Sequence, residues 1–214
     1  MSNLAMMMGL TAVKVDSLEF TFVGVSYPAS NLNILVPTGT QAGDIAVALS
    51  STAVTSFVPA VYSGFTQITT LNSTFEDMFQ YKLLTEADLT TTFMRSSGNY
   101  DSAIMLTFRP SRPVTNVIIS NVNDGGMTAA TPSTQTLSPS SSPSILIANY
   151  AGYNTATAIN GGFWGGDYLF TGENNARIRT YYEIQNDQAI PRDVVPSGDY
   201  GSYNRLTSCV INAE

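Results

Sequence analysis

Sixteen carboxylates and not one histidine define the chemistry open to this chain of 214 residues. Histidine is the commonest general base, the commonest metal ligand and the usual pH switch, and all three roles lapse without it. A serine nucleophile would have no imidazole to activate it, and no G-x-S-x-G is present. Paired carboxylates remain, because one acid can protonate a glycosidic oxygen while another attacks or activates water. The candidates are Glu76, Asp77, Glu86, Asp88, Asp101, Asp167, Glu173 and Glu183. None stands in a recognisable motif, and such residues commonly sit on solvated turns and strand faces. The expectation is a protein that is not an enzyme.

Other chemistries fare no better. No Walker loop, no G-x-G-x-x-G after a strand and no Cys/His zinc spacing occurs. "NVNDGG" (121–126) and "GENN" (172–175) cluster oxygen ligands of the kind calcium takes, yet Asn and Asp make turns equally well. No metal and no cofactor are expected. Cys209 is the single cysteine, so no disulfide can form within the chain, and the apolar run "TSCVI" suits a buried thiol. "NST" (72–74) fits the glycosylation pattern, but no signal peptide precedes it.

The most suggestive surface feature is "GGFWGGDYLF" (161–170), where Phe163 and Trp164 lie between paired glycines with Tyr168 close behind. Aromatics on a loop stack on sugar rings or anchor a protein partner. The same loop could instead fold back and plug the end of a sandwich. The opening "MSNLAMMMGLTAVKVD" supplies a second candidate contact, an apolar arm over residues 1–15 built on Leu4, Met6, Met7 and Met8. Methionines fill irregular grooves well. It lacks a basic flank and is too short and broken for a membrane span.

Charge narrows the partners. The net charge is −7, with only two lysines among nine basic residues and no basic stripe, so nucleic acid is not an expected partner. Charged residues make up 12%, against 43% hydrophobic, so the surface is neutral-polar and the chain still has enough apolar material for a core.

These groups must be carried by strands. Residues 18–27, 31–37, 44–51, 75–84, 88–97, 102–110, 114–120, 145–153, 166–172, 175–185 and 203–213 alternate or run apolar over strand lengths. In 75–84, Phe75, Phe79, Tyr81 and Leu83 share one side. "TQTL" (134–137) suits a short edge strand, "LLTEADLT" a single helical turn, and 186–199 a long loop with two prolines. The chain divides into the arm 1–15, a first half 16–122, a Ser/Thr/Pro-rich connection 123–144 and a second half 145–214 of the same domain.

The halves echo each other. Ser97-Gly98-Asn99-Tyr100 meets Ser197-Gly198-Asp199-Tyr200 at an offset of about one hundred, and Leu106-Thr107 meets Leu206-Thr207. Ile45 and Val47 meet Ile145 and Ile147. Parity demands one extra residue further on. The apolar face of 175–185 holds Ala176, Ile178, Tyr182 and Ile184, so Tyr81 should match Tyr182, because a one-residue slip turns every side chain to the other face. The expected fold is all-β: an antiparallel β-sandwich, jelly-roll-like, built from two tandem pseudo-repeats. Each "SG[ND]Y" would be the turn into the last strand of its half. One large sandwich and two small ones both fit this pattern.

"VPTGTQAGDIAVAL" (36–49), "SGFTQI" (63–68), "YKLLTEADLTTTF" (81–93) and "DSAIMLTFRP" (101–110) occur in that order. The series resembles a β-sandwich module of tailed-bacteriophage virion surface proteins. In that module a P-x-G-x-x-x-GD turn leads into an apolar strand, then GW-x-x-[LI], then a YY or YK strand, then a strand ending near AYRG. "SPSSSPSILIANY" (138–150) resembles its continuation. The match spans about residues 18–150, with Phe65 where Trp is usual and Arg109-Pro110 where Arg-Gly is usual. The resemblance implies a virion structural protein of the tail-fibre, tail-associated or capsid-decoration kind. It would assemble in the host cytoplasm, occur in symmetric or homo-oligomeric copies, and contact a major capsid or tail protein. A host surface glycan is the alternative partner. The module's motifs are turn and core signals and carry no catalytic residue.

Overall fold

The computed structural model describes residues 17–28, 33–52, 62–68, 76–93, 102–125, 132–153, 158–160, 165–171, 176–197 and 204–214. Thirteen strands and one 3-10 helix are formed by these residues. In chain order the strands are β1 (Phe20–Ser26), β2 (Ile45–Thr52), β3 (Thr66–Gln67), β4 (Glu76–Leu83), β5 (Ser102–Pro110), β6 (Val117–Asp124) and β7 (Gln135–Leu137). They continue as β8 (Ser144–Tyr153), β9 (Ala158–Asn160), β10 (Gly166–Thr171), β11 (Ala176–Gln185), β12 (Arg192–Ser197) and β13 (Asn204–Ala213). A five-stranded sheet has the order β1-β5-β2-β4-β3, and a second has the order β10-β11-β8-β13-β6. Every pairing within them is antiparallel.

Reversed, the second order reads β6-β13-β8-β11-β10, and each strand then stands where its counterpart stands in the first sheet. The duplication is therefore a property of the topology. Register gives the offsets. Val47 pairs with Tyr81 and Leu106 in the first sheet. Ile147 pairs with Tyr182 and Cys209 in the second. Tyr81 and Tyr182 are thus equivalent, as parity demands. Leu106 is equivalent to Cys209 and not to Leu206. The matching Leu-Thr dipeptides lie on opposite faces: Leu106 faces the other sheet, whereas Leu206 packs on the outer side. Identity over two residues cannot fix register when the side-chain period is two. The segments carrying SG[ND]Y do precede β5 and β13, but their conformation lies outside the described residues.

One core joins the sheets. Ile45, Val47, Leu49, Phe79, Ile104, Leu106 and Phe108 from the first sheet cluster with Ile145, Ile147, Ile178, Tyr182, Cys209 and Ile211 from the second. The two repeats therefore make one sandwich. Asn186 ties the sheets at an edge, accepting from the Phe20 N–H at 2.7 Å and donating to its carbonyl at 3.0 Å. Those are backbone groups of an edge strand, which otherwise invite pairing with another chain.

Both outer faces are covered as well. Ile34, Tyr62, Phe65, Leu84 and Phe93 lie over Ala46, Ala48 and Met105 of the first sheet. A three-stranded sheet, β7-β12-β9, lies over the second, where Leu137 and Val194 meet Leu146, Tyr150, Leu206 and Val210. Burial on both faces explains why β5 and β8 read as continuous apolar runs and not as alternation. Several local expectations change. Of the strands expected at 31–37 and 88–97, the described residues form an isolated Ile34–Phe93 bridge; 31–32 and 94–97 lie outside the described residues. The single helical turn expected in "LLTEADLT" forms as a 3-10 helix over residues 86–90, started by the reciprocal Thr85–Asp88 capping box. Residues 192–197, expected as loop, are β12, which pairs with β7 over its first half and with β9 over its second. Pro196 is tolerated because each half of β12 has a free edge. β6 extends the strand expected at 114–120 and pairs in the second sheet with β13.

Candidate functional site

Of the carboxylates that looked available for chemistry, Asp88 and Glu183 are engaged in ion pairs, as are Asp44 and Asp124, which were not among them. Asp44 is 1% exposed and ends the turn Pro37–Asp44. Arg109, at the end of β5, donates through Nε to Asp44 Oδ1 at 2.9 Å and through Nη2 to Asp44 Oδ2 at 2.8 Å. Nη2 also reaches the Gly39 carbonyl at 2.8 Å, and the Gln41 N–H donates to Asp44 Oδ2 at 2.9 Å. The hydrogen bond to Asp44 holds the Arg109 guanidinium even more firmly charged than usual. Gly39 and Gly43 have φ of 88° and 89°, a region that side chains with a Cβ avoid, so the glycine spacing of the motif is a backbone requirement.

Asp88 is held by Lys82 Nζ at 2.7 Å and by the Thr85 N–H and hydroxyl, each at 2.8 Å. Burial by itself would raise its pKa, yet the Lys82 and Thr85 hydrogen bonds together outweigh burial and leave it below the usual value. Glu183, 7% exposed, accepts from Arg192 Nε at 3.0 and 2.9 Å and from Gln185 Nε2 at 2.9 Å. Asp124 pairs with Arg205, which is 2% exposed. Each of these four carboxylates meets a cation. The described residues do not bring three His, Cys, Asp or Glu together as a metal set. Glu86 lies in the 3-10 helix, while Asp101 and Glu173 lie outside the described residues, as do the side chains of Glu76, Asp77 and Asp167.

Tyr168, a candidate stacking residue, is partly buried and packs against the shared core. Its ring stacks on Phe22 at 5.6 Å and lies nearly parallel to Tyr182 at 6.2 Å, with Phe22 and Tyr182 4.5 Å apart. Burial, then the neighbouring Tyr168, pushes the Tyr182 phenol far above the ordinary tyrosine value. The glycines beside it serve the same packing. A Cβ on Gly166 would stand 2.6 Å from the Tyr182 ring and 2.7 Å from that of Tyr168, and one on Gly165 would stand 2.7 Å from Tyr182. The second Gly-Gly of "GGFWGG" is therefore explained by rings lying on the backbone. Phe163 and Trp164 lie outside the described residues, and so do Leu4, Met6, Met7 and Met8.

What the described surface does offer is a groove of about 430 Å³, lined by Gln41–Asp44 and Arg109–Pro113. Its floor is the Asp44–Arg109 lock, and exposed Arg112 stands at its rim. Ser111 forms two bonds with Glu19, its N–H donating to the Glu19 carbonyl at 2.8 Å and its Oγ accepting from the Glu19 N–H at 3.0 Å. The incoming chain therefore passes beside the groove. Leu35 (51% exposed) and Tyr27 (39%) form an apolar point near the end of β1, where the Ser26 hydroxyl donates to the Leu35 carbonyl at 2.5 Å. Sequence reading placed Asp44 and Arg109 in turn and strand motifs but did not pair them. The available signal was an acid opening one strand and a base closing the next strand in the sheet. No known family model, curated protein or solved structure matches this chain.

Proposed function

We propose that this chain is a non-enzymatic structural protein of a tailed-bacteriophage virion. It is held on the capsid or tail by protein–protein contacts and present in symmetric copies. The observation that carries the reading is the ordered motif series from Pro37 to Arg109, which resembles the sandwich module of virion surface proteins. The residues of that series are also the ones that build the first sheet. Pro37–Asp44 is closed by Arg109, Phe65 packs edge-on to Phe93 at 5.1 Å, and Tyr81 borders the shared core. The engagement of Asp44, Asp88, Asp124 and Glu183 in ion pairs favours a structural role over catalysis.

In this reading the partner is a major capsid or tail protein, and the contact uses apolar points such as Leu35 together with the arm at Leu4 and Met6–Met8. Quantitative mass spectrometry of purified particles tests it. Copies in the hundreds place the chain over a capsid or along a tube, and roughly six to thirty-six place it at a vertex or on the tail, as the symmetry of those parts requires. Absence from the particle overturns the proposal. In the low-copy case, loss of adsorption with Trp164→Ala in a protein that still folds would convert the assignment to glycan or receptor binding.

A further inference from the structure

The two repeats differ at one level of the shared interior. In the first sheet, Leu49 of β2 has Phe79 and Ile104 as its register partners, and all three lie in the core. The equivalent row of the second sheet is Asn149 of β8, with Thr180 and Thr207 as register partners. This polar row is as deep as the apolar one, at 0%, 0% and 1% exposure. Each residue is smaller than its counterpart or polar where the counterpart is not. The substitution therefore brings polarity, and smaller side chains, to this level of the interior.

The polar row is incompletely satisfied by the protein. The Thr180 hydroxyl donates to Asn149 Oδ1 at 2.8 Å, which fixes the amide. Asn149 Nδ2 and Thr207 Oγ1 are left without a hydrogen-bond partner. They belong to register partners on adjacent strands, where side chains on one face stand within about 5 Å at Cβ. Buried polar groups are nearly always paired, and a polar site with at least two partners and room for a probe sphere holds water, whereas apolar cavities stay dry.

We propose that the second repeat carries an internal hydration site. An ordered water would accept from Asn149 Nδ2 and exchange a hydrogen bond with Thr207 Oγ1, in the interior level that Leu49, Phe79 and Ile104 fill dry in the first repeat. The site is independent of any role in a virion.

Two measurements on the full chain test it. Water–protein NOE and ROE spectra should show long-lived contacts to the Asn149 side-chain amide protons, and these should vanish in the double variant Asn149→Leu, Thr207→Val. Thr207→Val alone keeps the shape and removes the hydroxyl. If water is bound there, its unfolding midpoint should fall by about 2–4 °C, the shift typical of losing one hydrogen bond in a domain of this size. A wild-type spectrum without such contacts overturns the proposal. So does a Thr207→Val midpoint that is unchanged or higher, because removing a dry, unpaired hydroxyl costs nothing.

Discussion

Arg109 reaches a carboxylate that is almost wholly buried, so removing the guanidinium strands a charge as well as breaking three hydrogen bonds. Arg109→Met should lower unfolding free energy by about 2–4 kcal/mol in urea titrations. Asp88 gives a pH signature. Its folded pKa lies below its unfolded value, so its stabilisation is present above the unfolded pKa and is lost as pH falls through the folded one. The urea midpoint should therefore drop as pH falls below about 4, and Asp88→Asn should remove its share of that drop. Gly166→Ala forces a methyl group against two tyrosine rings and should cost about 1–3 kcal/mol with a changed near-ultraviolet circular dichroism spectrum. At this scale the sequence displayed the right residues and hid their tasks. Tyr168 and the second pair of glycines also pack with Tyr182, a contact that residue type alone does not show.

Among the elements, β2, β4, β5, β8, β11 and β13 were legible because their apolar runs are long and their faces unambiguous. β12 was not, since Pro191 and Pro196 bracket it and its pairing to β7 and β9 is non-local. Residues 88–90 supported two readings, the helical turn of "LLTEADLT" and the start of a threonine-rich strand; the Thr85–Asp88 box starts the 3-10 helix there, so the turn prevails. Among the described residues, the layer β7-β12-β9 packs on the outer face of the second sheet through Leu137 and Val194. Leu137→Ala should thus cost about 2–5 kcal/mol locally. Hydrogen exchange should accelerate in 135–137 and 192–197 while protection of β2 and β5 stays as it was.

For the molecule as a whole, the shared core makes the two repeats one cooperative unit. Thermal unfolding followed by circular dichroism and by calorimetry should give coincident single transitions. Residues 1–116 expressed alone should fail to reach a fixed tertiary structure, because Leu49, Ile104 and Leu106 would face solvent. Cys209 reports the same event. Burial pushes its thiol far above the ordinary value, so labelling by a thiol reagent should be negligible in the native state and should track global unfolding.

The sequence by itself determined the class of fold, since period-two and continuous apolar runs with turn residues between them admit little else. It also determined the duplication, and through the parity of Tyr81 and Tyr182 it located an inserted residue. Tertiary structure alone decided that the repeats make one sandwich, that Leu106 answers to Cys209, that β6 joins the second sheet, and that Asp44, Asp88, Asp124 and Glu183 each meet a cation. The physical reason is shared by all four. Strand patterns record which face of a segment is apolar, whereas the surface that will cover that face, and the cation that will meet a given acid, come from distant parts of the chain: Asp124 and Arg205 are 81 positions apart.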